Sequence, residues 1–137
     1  FLASMLDICK IDGDVYSIEI NPEDPLPRHP KITWIRGNSG DPEIVQRVIK
    51  ASNGKRGMVF LDSEHDAPHV LLEMRSYSPI VAKDSYLIVE DTWHLPGQGG
   101  PYDAVEIFLK ENGSFEIDES MHRFAVSNNP RGFLKRK

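Results

Sequence analysis

Two apolar segments of the chain end abruptly in carboxylates. In GMVFLDSEHD the apolar residues stop at Asp62, and His65 follows three positions later. In SYLIVEDTWH the apolar residues stop at the adjacent acids Glu90 and Asp91. A ligand of an open α/β sheet binds beyond the carboxyl ends of the strands. A third predicted strand, VYSIEI, carries Glu19 at the same end. If the three strands are parallel neighbours, we therefore expect these acids to converge on one rim and to hold a ligand there.

These acids could bind a metal ion. Several carboxylates without convergent cysteines favour a hard cation over zinc, so Asp62, Glu90 and Asp91 are predicted ligands of Mg²⁺, or else of Mn²⁺ or Ca²⁺. Adjacent residues of a regular strand face opposite ways, so Glu90 and Asp91 reach one ion only if the backbone turns there. For any single acid the alternative of a helix cap or a solvated loop residue stays open.

Two other residues and one loop are candidates for a role in catalysis or ligand binding. His65 is a candidate general base because an imidazole titrates near neutral pH; His94 competes for that role, and a capping or surface histidine is the alternative. Glu19, in VYSIEI, is a candidate acceptor for the hydroxyls of a ribose. The segment GQGGP (Gly97–Pro101) is an anion-binding helix start, a mobile substrate loop or a plain linker.

The composition limits the class of protein. With 137 residues and 15.5 kDa, the chain is the size of one domain with a single core. A net charge of −5 and scattered basic residues argue against a nucleic-acid interface. No apolar run approaches the ~20 residues that cross a bilayer, and the single cysteine, Cys9, favours a reducing compartment. We expect a cytoplasmic domain with neither nucleic-acid nor membrane partners.

Strands and helices alternate along most of the chain. Apolar spacing predicts helices in FLASMLDICK, after the cap Asp41, after the cap Asp66, and in PYDAVEIFLKENG. Alternation of this kind implies βαβ crossovers, so we predict an α/β fold with a mostly parallel sheet and helices on both faces. The predicted strands are VYSIEI (Val15–Ile20), KITWIR (Lys31–Arg36), GMVFLD, SYLIVED, SFEID and HRFAVSN, with NPRGFLKRK extending the sheet as a hairpin.

Four segments carry a resemblance to a known family. LDSEHDAPHVLLEMRSYSPIV, SYLIVEDT, GGPYDAVEIFL and NPRGFLKR resemble the cephalosporin hydroxylases and rhamnosyl O-methyltransferases, and the similarity covers nearly all of the chain. The resemblance implies a Rossmann-like methyltransferase fold, S-adenosylmethionine and a divalent metal as cofactors, and a small-molecule hydroxyl acceptor on a sugar or natural product. It also implies a distant relation to catechol O-methyltransferase.

The resemblance further implies a role for each candidate residue. Asp62, Glu90 and Asp91 match the metal ligands, and His65 matches a histidine proposed as the base. The cofactor-binding residues that it implies are Glu19 at the ribose and, in RGNSGD, Asn38 and Ser39 beside the adenine.

One departure from the family pattern concerns the start of the chain. Members of the family carry a first strand and a glycine-rich turn immediately before the helix that begins here at Phe1. We therefore expect residues 1–137 to form a single, partial, N-terminally truncated methyltransferase domain. Because loss of that strand would expose two apolar sheet edges, we expect the chain to self-associate as a dimer or higher homo-oligomer.

Three functions stay open on this basis. The first is an S-adenosylmethionine- and metal-dependent O-methyltransferase. The second is a truncated, non-catalytic domain that acts as a self-associating binding or structural module. The third is another Rossmann-type enzyme, such as a nucleotide-dependent oxidoreductase, against which the absence of G-x-G-x-x-G after a strand argues.

Overall fold

The structure is a computed structural model that describes residues 1–21, 26–93, 96–123 and 127–137. It is an α/β protein with two compact units, residues 1–48 and 49–137. The elements of the first unit are α1 (Leu2–Ile8), β1 (Val15–Glu19), β2 (Ile32–Arg36) and the start of α2 (Pro42–Ser52). Those of the second are β3 (Val59–Leu61), α3 (Ala67–Tyr77), β4 (Tyr86–Val89), α4 (Pro101–Glu111), β5 (Phe115–Ile117) and β6 (Phe133–Arg136), with short 3₁₀ turns at Ser78–Ile80 and Glu119–Met121.

The first unit contains a pair of parallel strands. β1 and β2 run in register from Val15 opposite Ile32 to Glu19 opposite Arg36. At their carboxyl ends the Gly37 amide donates to the Glu19 carbonyl at 3.0 Å. The end of β1 and the loop that follows β2 therefore share one edge of this sheet.

The loop between β2 and α2 needs its first glycine. Gly37 has a φ of +151°, and a Cβ on it would lie 2.9 Å from the Cδ1 atom of Ile44. The left-handed conformation disfavours any residue with a Cβ, and Ile44 would also have to shift to accept one. Asp41 and Pro42 then begin α2, as the sequence predicts.

The second unit contains a mixed four-stranded sheet in the order β3-β4-β6-β5. β3 and β4 are parallel and are joined through α3, whereas β6 is antiparallel to both β4 and β5. α3 packs against α4, and the centroids of the Phe108 and Phe115 rings lie 5.5 Å apart. Leu87 and Leu134, opposite each other on β4 and β6, are fully buried at the centre of this core.

The structure confirms the α/β class but corrects the expectation of a mostly parallel sheet. The closing segment NPRGFLKRK supplies β6, which enters the sheet antiparallel between β4 and β5. The predicted strand HRFAVSN lies partly outside the described residues, and its described positions are not in a strand. The alternation of strands and helices indicates parallel pairs only where an α-helix joins two strands, and the described residues between β5 and β6 form no α-helix, only the short 3₁₀ turn Glu119–Met121.

Burial near an acid changes the titration of one core tyrosine. Burial and then the nearby Glu73 carboxylate raise the pKa of Tyr77 to about 12. A tyrosine in the unfolded chain ionises near pH 10. Protonated Tyr77 therefore makes its full contribution to the free energy of unfolding below pH 10, and this contribution is lost as the pH rises through 12.

We predict that the wild-type chain loses more of its free energy of unfolding between pH 9 and pH 11 than Tyr77→Phe does. The phenylalanine has no proton to release, so this part of the pH dependence disappears. Urea unfolding at the two pH values measures the difference. Equal losses in both proteins would contradict the raised pKa.

Candidate functional site

The acids that end β3 and β4 are brought together by the pairing of these two strands. Asp62 follows β3, while Glu90 and Asp91 follow β4. The Glu90 amide donates to the carbonyl of Leu61 at 2.9 Å, so the two parallel strands end level with each other. The expected meeting of Asp62 and Asp91 at the carboxyl edge is present within the second unit. The expectation that Glu19 ends a neighbouring strand of the same sheet is wrong, because β1 pairs with β2 in a separate two-stranded sheet.

Three of these side chains form a compact group, which we call the acid–histidine cluster: Asp62, His65 and Asp91. One ligand atom from each lies within 4.8 Å of the others. The His65 Nε2 atom is 3.0 Å from Asp91 Oδ2 and 3.9 Å from Asp62 Oδ1. Asp62 and His65 are exposed, and Asp91 is half-buried. Carboxylate oxygens with an imidazole nitrogen are a donor set that divalent cations accept.

The backbone turns sharply after β4. Asp91 has a φ of +53°, a conformation that aspartate and asparagine adopt more readily than other residues with a Cβ. This turn lets consecutive acids leave the regular alternation of a strand. Among the described residues Glu90 is outside the acid–histidine cluster, although its charge interacts with all three members. Burial, and then repulsion from the Asp62 carboxylate, raise the pKa of Glu90.

A buried acid on α3 holds the loop that carries Asp62 and His65. Glu73 is 2% exposed, and its Oε2 atom accepts a hydrogen bond from the Ser63 hydroxyl at 2.7 Å. The Nε2 atom of His69 lies 3.6 Å from the other carboxylate oxygen. Glu73 is not among the site residues predicted from the sequence. Its position on the apolar stripe of α3, three residues after Val70, was the available signal, because a charged residue seldom occurs there unless it is paired.

A second loop supports the turn after β4. The Asn129 side-chain oxygen accepts a hydrogen bond from the Asp91 amide at 3.0 Å, and a hydrogen bond between Asn129 and Glu90 opposes the rise in the pKa of that acid. The buried Thr92 hydroxyl donates to the carbonyl of Pro130 at 2.7 Å. Gly132 completes the contact, since its carbonyl accepts from the Val89 amide at 2.9 Å. Hydrogen bonds from the segment NPRG therefore hold the backbone of the segment VEDT in place.

The same loop is fixed to α4. The Arg131 guanidinium donates two hydrogen bonds to Glu106 Oε1, at 3.1 and 2.6 Å. The hydrogen bonds to Glu106 are the main cause that raises the pKa of Arg131. Arg131 itself has a φ of +66°. The ion pair thus holds a turn whose conformation is otherwise disfavoured for an arginine.

The glycine-rich loop before α4 already binds an anion, and that anion belongs to the protein. The amides of Gly97 and Gly99 donate to the two carboxylate oxygens of Asp103, both at 2.7 Å. These bonds lower the pKa of Asp103, that from Gly97 most. The Gly99 carbonyl accepts a hydrogen bond from the Ala67 amide at 2.7 Å, at the start of α3. His94, the competing base, lies outside the described residues.

The expected cofactor contacts lie together in the first unit. Glu19 is exposed at the end of β1, and Asn38 and Ser39 follow Gly37 in the loop after β2. The Asn38 side-chain oxygen accepts from the Gly40 amide at 2.8 Å, which shapes this loop before α2. The carboxyl edge of the β1–β2 pair thus brings all three residues into one neighbourhood.

Comparison with known proteins identifies the family. The model of the family described as "Rhamnosyl O-methyltransferase/CmcI" matches residues 1–137. The chain belongs to this family. This confirms the resemblance carried by the LDSEH and VEDT segments. None of the helices in the described part of the chain has the length and apolar character needed to cross a bilayer.

Relatives with a curated name support the same family. The chain is 36% identical over 119 residues to proteins named rhamnosyl O-methyltransferase from Mycobacterium bovis (strain BCG / Pasteur 1173P2) and Mycobacterium tuberculosis (strain ATCC 25618 / H37Rv), covering 80% of the chain and 49% of each relative. It is 36% identical over 135 residues to that from Mycobacterium leprae (strain TN), covering 90% of the chain and 59% of the relative. The chain thus spans about half the length of the relatives that it matches.

We predict that Gly132→Ala destabilises the protein by about 1–3 kcal/mol, the usual result of overpacking. A Cβ at this position would collide with the Val89 carbonyl and lie 3.1 Å from the Thr92 hydroxyl oxygen. Gly113→Ala is the matched control, because no atom lies within 4 Å of a Cβ there. Urea unfolding of both variants measures the difference, and equal stabilities would show that the loop yields to the added methyl group.

We predict that Ser63→Ala lowers the free energy of unfolding by about 1–3 kcal/mol because it removes a hydrogen bond from a buried carboxylate. Ser76→Ala, on the same helix as Glu73, is the control and should change stability by less than about 0.5 kcal/mol. Thermal and urea unfolding report both values. A Ser63 variant as stable as the control would mean that Glu73 does not anchor this loop.

Proposed function

We propose that this chain carries the metal site and the cofactor-ribose contact of an S-adenosylmethionine- and divalent-metal-dependent O-methyltransferase that acts on a sugar hydroxyl. The observation on which the proposal depends is the acid–histidine cluster at the carboxyl ends of β3 and β4. The acceptor class follows from the relatives, which are named rhamnosyl O-methyltransferase. Two pairs of parallel strands with polar residues at their carboxyl ends support a Rossmann-like arrangement as well.

The residues present fit a hard divalent cation such as Mg²⁺ or Mn²⁺. Asp91 supplies a carboxylate oxygen 3.0 Å from His65 Nε2, Asp62 supplies one 3.9 Å from the same atom, and the Glu90 carboxylate interacts electrostatically with all three. We propose Asp62 and Asp91 as ligands and retain Glu90 as a third. A divalent cation in such a site lowers the pKa of a coordinated hydroxyl and neutralises the alkoxide.

His65 is suited to remove the acceptor proton. In the neutral imidazole one ring nitrogen donates and the other accepts. With Nε2 donating to Asp91 at 3.0 Å, the lone pair lies on Nδ1, which is then the atom that takes the proton. Asp91 orients the ring and stabilises the imidazolium that forms, as a carboxylate does in other acid–histidine pairs.

The first unit fits the nucleoside part of the cofactor. The exposed carboxylate of Glu19 offers two oxygens to the two hydroxyls of a ribose, as acids at strand ends of dinucleotide-binding folds do. Asn38 and Ser39 lie in the loop beyond the neighbouring strand and are proposed contacts of the adenine. S-adenosylmethionine, when bound, would supply its sulfonium methyl group to the deprotonated acceptor oxygen: the methyl C–O bond would form as the C–S bond breaks, with S-adenosylhomocysteine as the leaving group.

Self-association and a cytoplasmic location are also proposed for this chain, and each can be tested directly. Self-association as a dimer or higher homo-oligomer predicts a mass above 15.5 kDa by light scattering. A cytoplasmic location predicts that Cys9, which is exposed, stays reduced in the cell.

We predict that Asp91→Asn weakens Mn²⁺ binding to the chain at least about tenfold, because it removes a charged ligand. Asp84→Asn is the matched control. Like Asp91, Asp84 has a positive φ, here +63°. Asp84 is exposed and precedes β4, whereas Asp91 is half-buried and follows β4. Asparagine tolerates the left-handed conformation at both positions, so neither change should disturb the backbone. Calorimetric titration with Mn²⁺ measures the affinities.

Activity provides the second measurement. Asp62→Asn and EDTA should each abolish methyl transfer from S-adenosylmethionine to a rhamnosyl acceptor, with Asp84→Asn active. Unchanged turnover in both tests would discard the metal mechanism. Absence of both Mn²⁺ binding and S-adenosylmethionine binding would favour the non-catalytic module instead.

A further inference from the structure

A single amide side chain contacts both of the adjacent acids that follow β4. The Asn129 Oδ1 atom accepts a hydrogen bond from the Asp91 backbone amide at 3.0 Å. The Glu90 side chain is also hydrogen-bonded to Asn129. Because an ionised carboxylate can only accept, the Asn129 Nδ2 group is the donor to Glu90. The two ends of one planar amide therefore bridge the two acids.

The turn that carries Asn129 is fixed by hydrogen bonds of its own. The Asn129 backbone amide donates to the Ser127 hydroxyl at 3.0 Å, and the Asn129 carbonyl accepts from the Gly132 amide at 3.0 Å. The carbonyl of the next residue, Pro130, accepts from the buried Thr92 hydroxyl at 2.7 Å. The backbone from which the Asn129 side chain projects is thus held in place, as a group that orients a metal ligand requires.

The bridging group is neutral, which distinguishes it from a structural ion pair. The groups that act on the Glu90 carboxylate are the three members of the acid–histidine cluster and Asn129; within the described part of the chain, no lysine or arginine is among them. Arg131, two residues after Asn129, bonds Glu106 instead. A cationic donor would neutralise the acids and repel a metal ion. An amide orients the acids and leaves their negative charge.

We propose that Asn129 is the positioning residue of the metal site, the group that fixes the arrangement of Glu90 and Asp91 before a cation binds. The inference rests on the proposed methyltransferase function and adds a residue that acts on the ion through two of its ligands. The bond to the Asp91 amide stabilises the left-handed turn at that residue, whose φ is +53°. The bond to Glu90 holds a carboxylate that repulsion from Asp62 and Asp91 would otherwise turn away.

Binding of Mn²⁺ tests the positioning role without turnover. Asn129→Ala removes both hydrogen bonds and no carboxylate, so Mn²⁺ affinity measured by calorimetry should fall about 10- to 100-fold, as it does on loss of a group that orients a metal ligand. Asn112→Ala is the matched control. Asn112 is also half-buried, and its side-chain oxygen also accepts from a backbone amide, that of Ser114 at 3.1 Å after α4. The control should bind Mn²⁺ within about twofold of wild type.

A second pair of variants tests the bridge in EDTA, and it does so even if Asn129→Ala does not fold. Asn129→Asp keeps an acceptor for the Asp91 amide but faces Glu90 with a second carboxylate, so its melting temperature at about pH 8 should fall by about 4 °C or more. Adding Glu90→Gln supplies an amide that donates to the new carboxylate and should restore at least about half of that loss. In Asn112→Asp, Glu90→Gln should have no more effect than in the wild-type chain.

The outcomes distinguish this inference from the function on which it rests. An Asn129→Ala variant that binds Mn²⁺ as tightly as Asn112→Ala would overturn the positioning role, and so would a lack of rescue by Glu90→Gln. Either result leaves the metal site intact if Asp91→Asn still weakens Mn²⁺ binding. Equal Mn²⁺ affinity of wild type and Asp91→Asn would instead overturn the proposed function itself.

Discussion

The parallel pairing of β3 with β4 is the constraint on which the candidate site depends. Each strand is only three or four residues long, and the hydrogen bond from the Glu90 amide to the Leu61 carbonyl closes the pair at its carboxyl end. Because side chains alternate along a strand, a slip of one residue would turn either acid away from the other. Buried Leu61 and Val89, the last residues of the two strands, resist such a slip.

The pairing alone leaves the side chains of the cluster free to point elsewhere, and two supports remove that freedom. On the β3 side, buried Glu73 holds Ser63 from within α3. On the β4 side, Asn129 and the Pro130 carbonyl hold Asp91 and Thr92. The positions of these two loops are thus fixed by the helix and the sheet beneath them, as the proposed metal binding and proton transfer would require.

The sequence carried much of this fold in its local signals. Asp66 caps α3 through the His69 amide, and Pro101 begins α4, where capping and proline rules place them. The apolar runs VFL and YLIV are strands, and their acids converge because strand direction was implied by the helix between them. These features depend on neighbours within a few residues, so one sequence is enough to predict them.

What could not be predicted depends on partners distant in the chain. The place of β6 between β4 and β5 brings residues 133–135 beside residues 86–88, 45 to 49 positions away, and no short-range pattern encodes that choice. The support of Asp91 by Asn129 spans 38 positions. The sequence indicates only that the backbone must turn after β4 if Glu90 and Asp91 are to reach one ion. It does not predict that Asp91 adopts the left-handed conformation, or that Asp91 and not Glu90 belongs to the acid–histidine cluster.

The bonding of the glycine-rich loop to Asp103 has a consequence for which molecules can approach the start of α4. A carboxylate tethered four to six residues from the amides that it binds is present at an effective concentration of about millimolar or more. A dissolved phosphate or carboxylate must outcompete it at every encounter. The Asp103 carboxylate therefore competes with small anions for the amides of Gly97 and Gly99. The same loop links the start of α4 to the start of α3 through the hydrogen bond from the Ala67 amide to the Gly99 carbonyl.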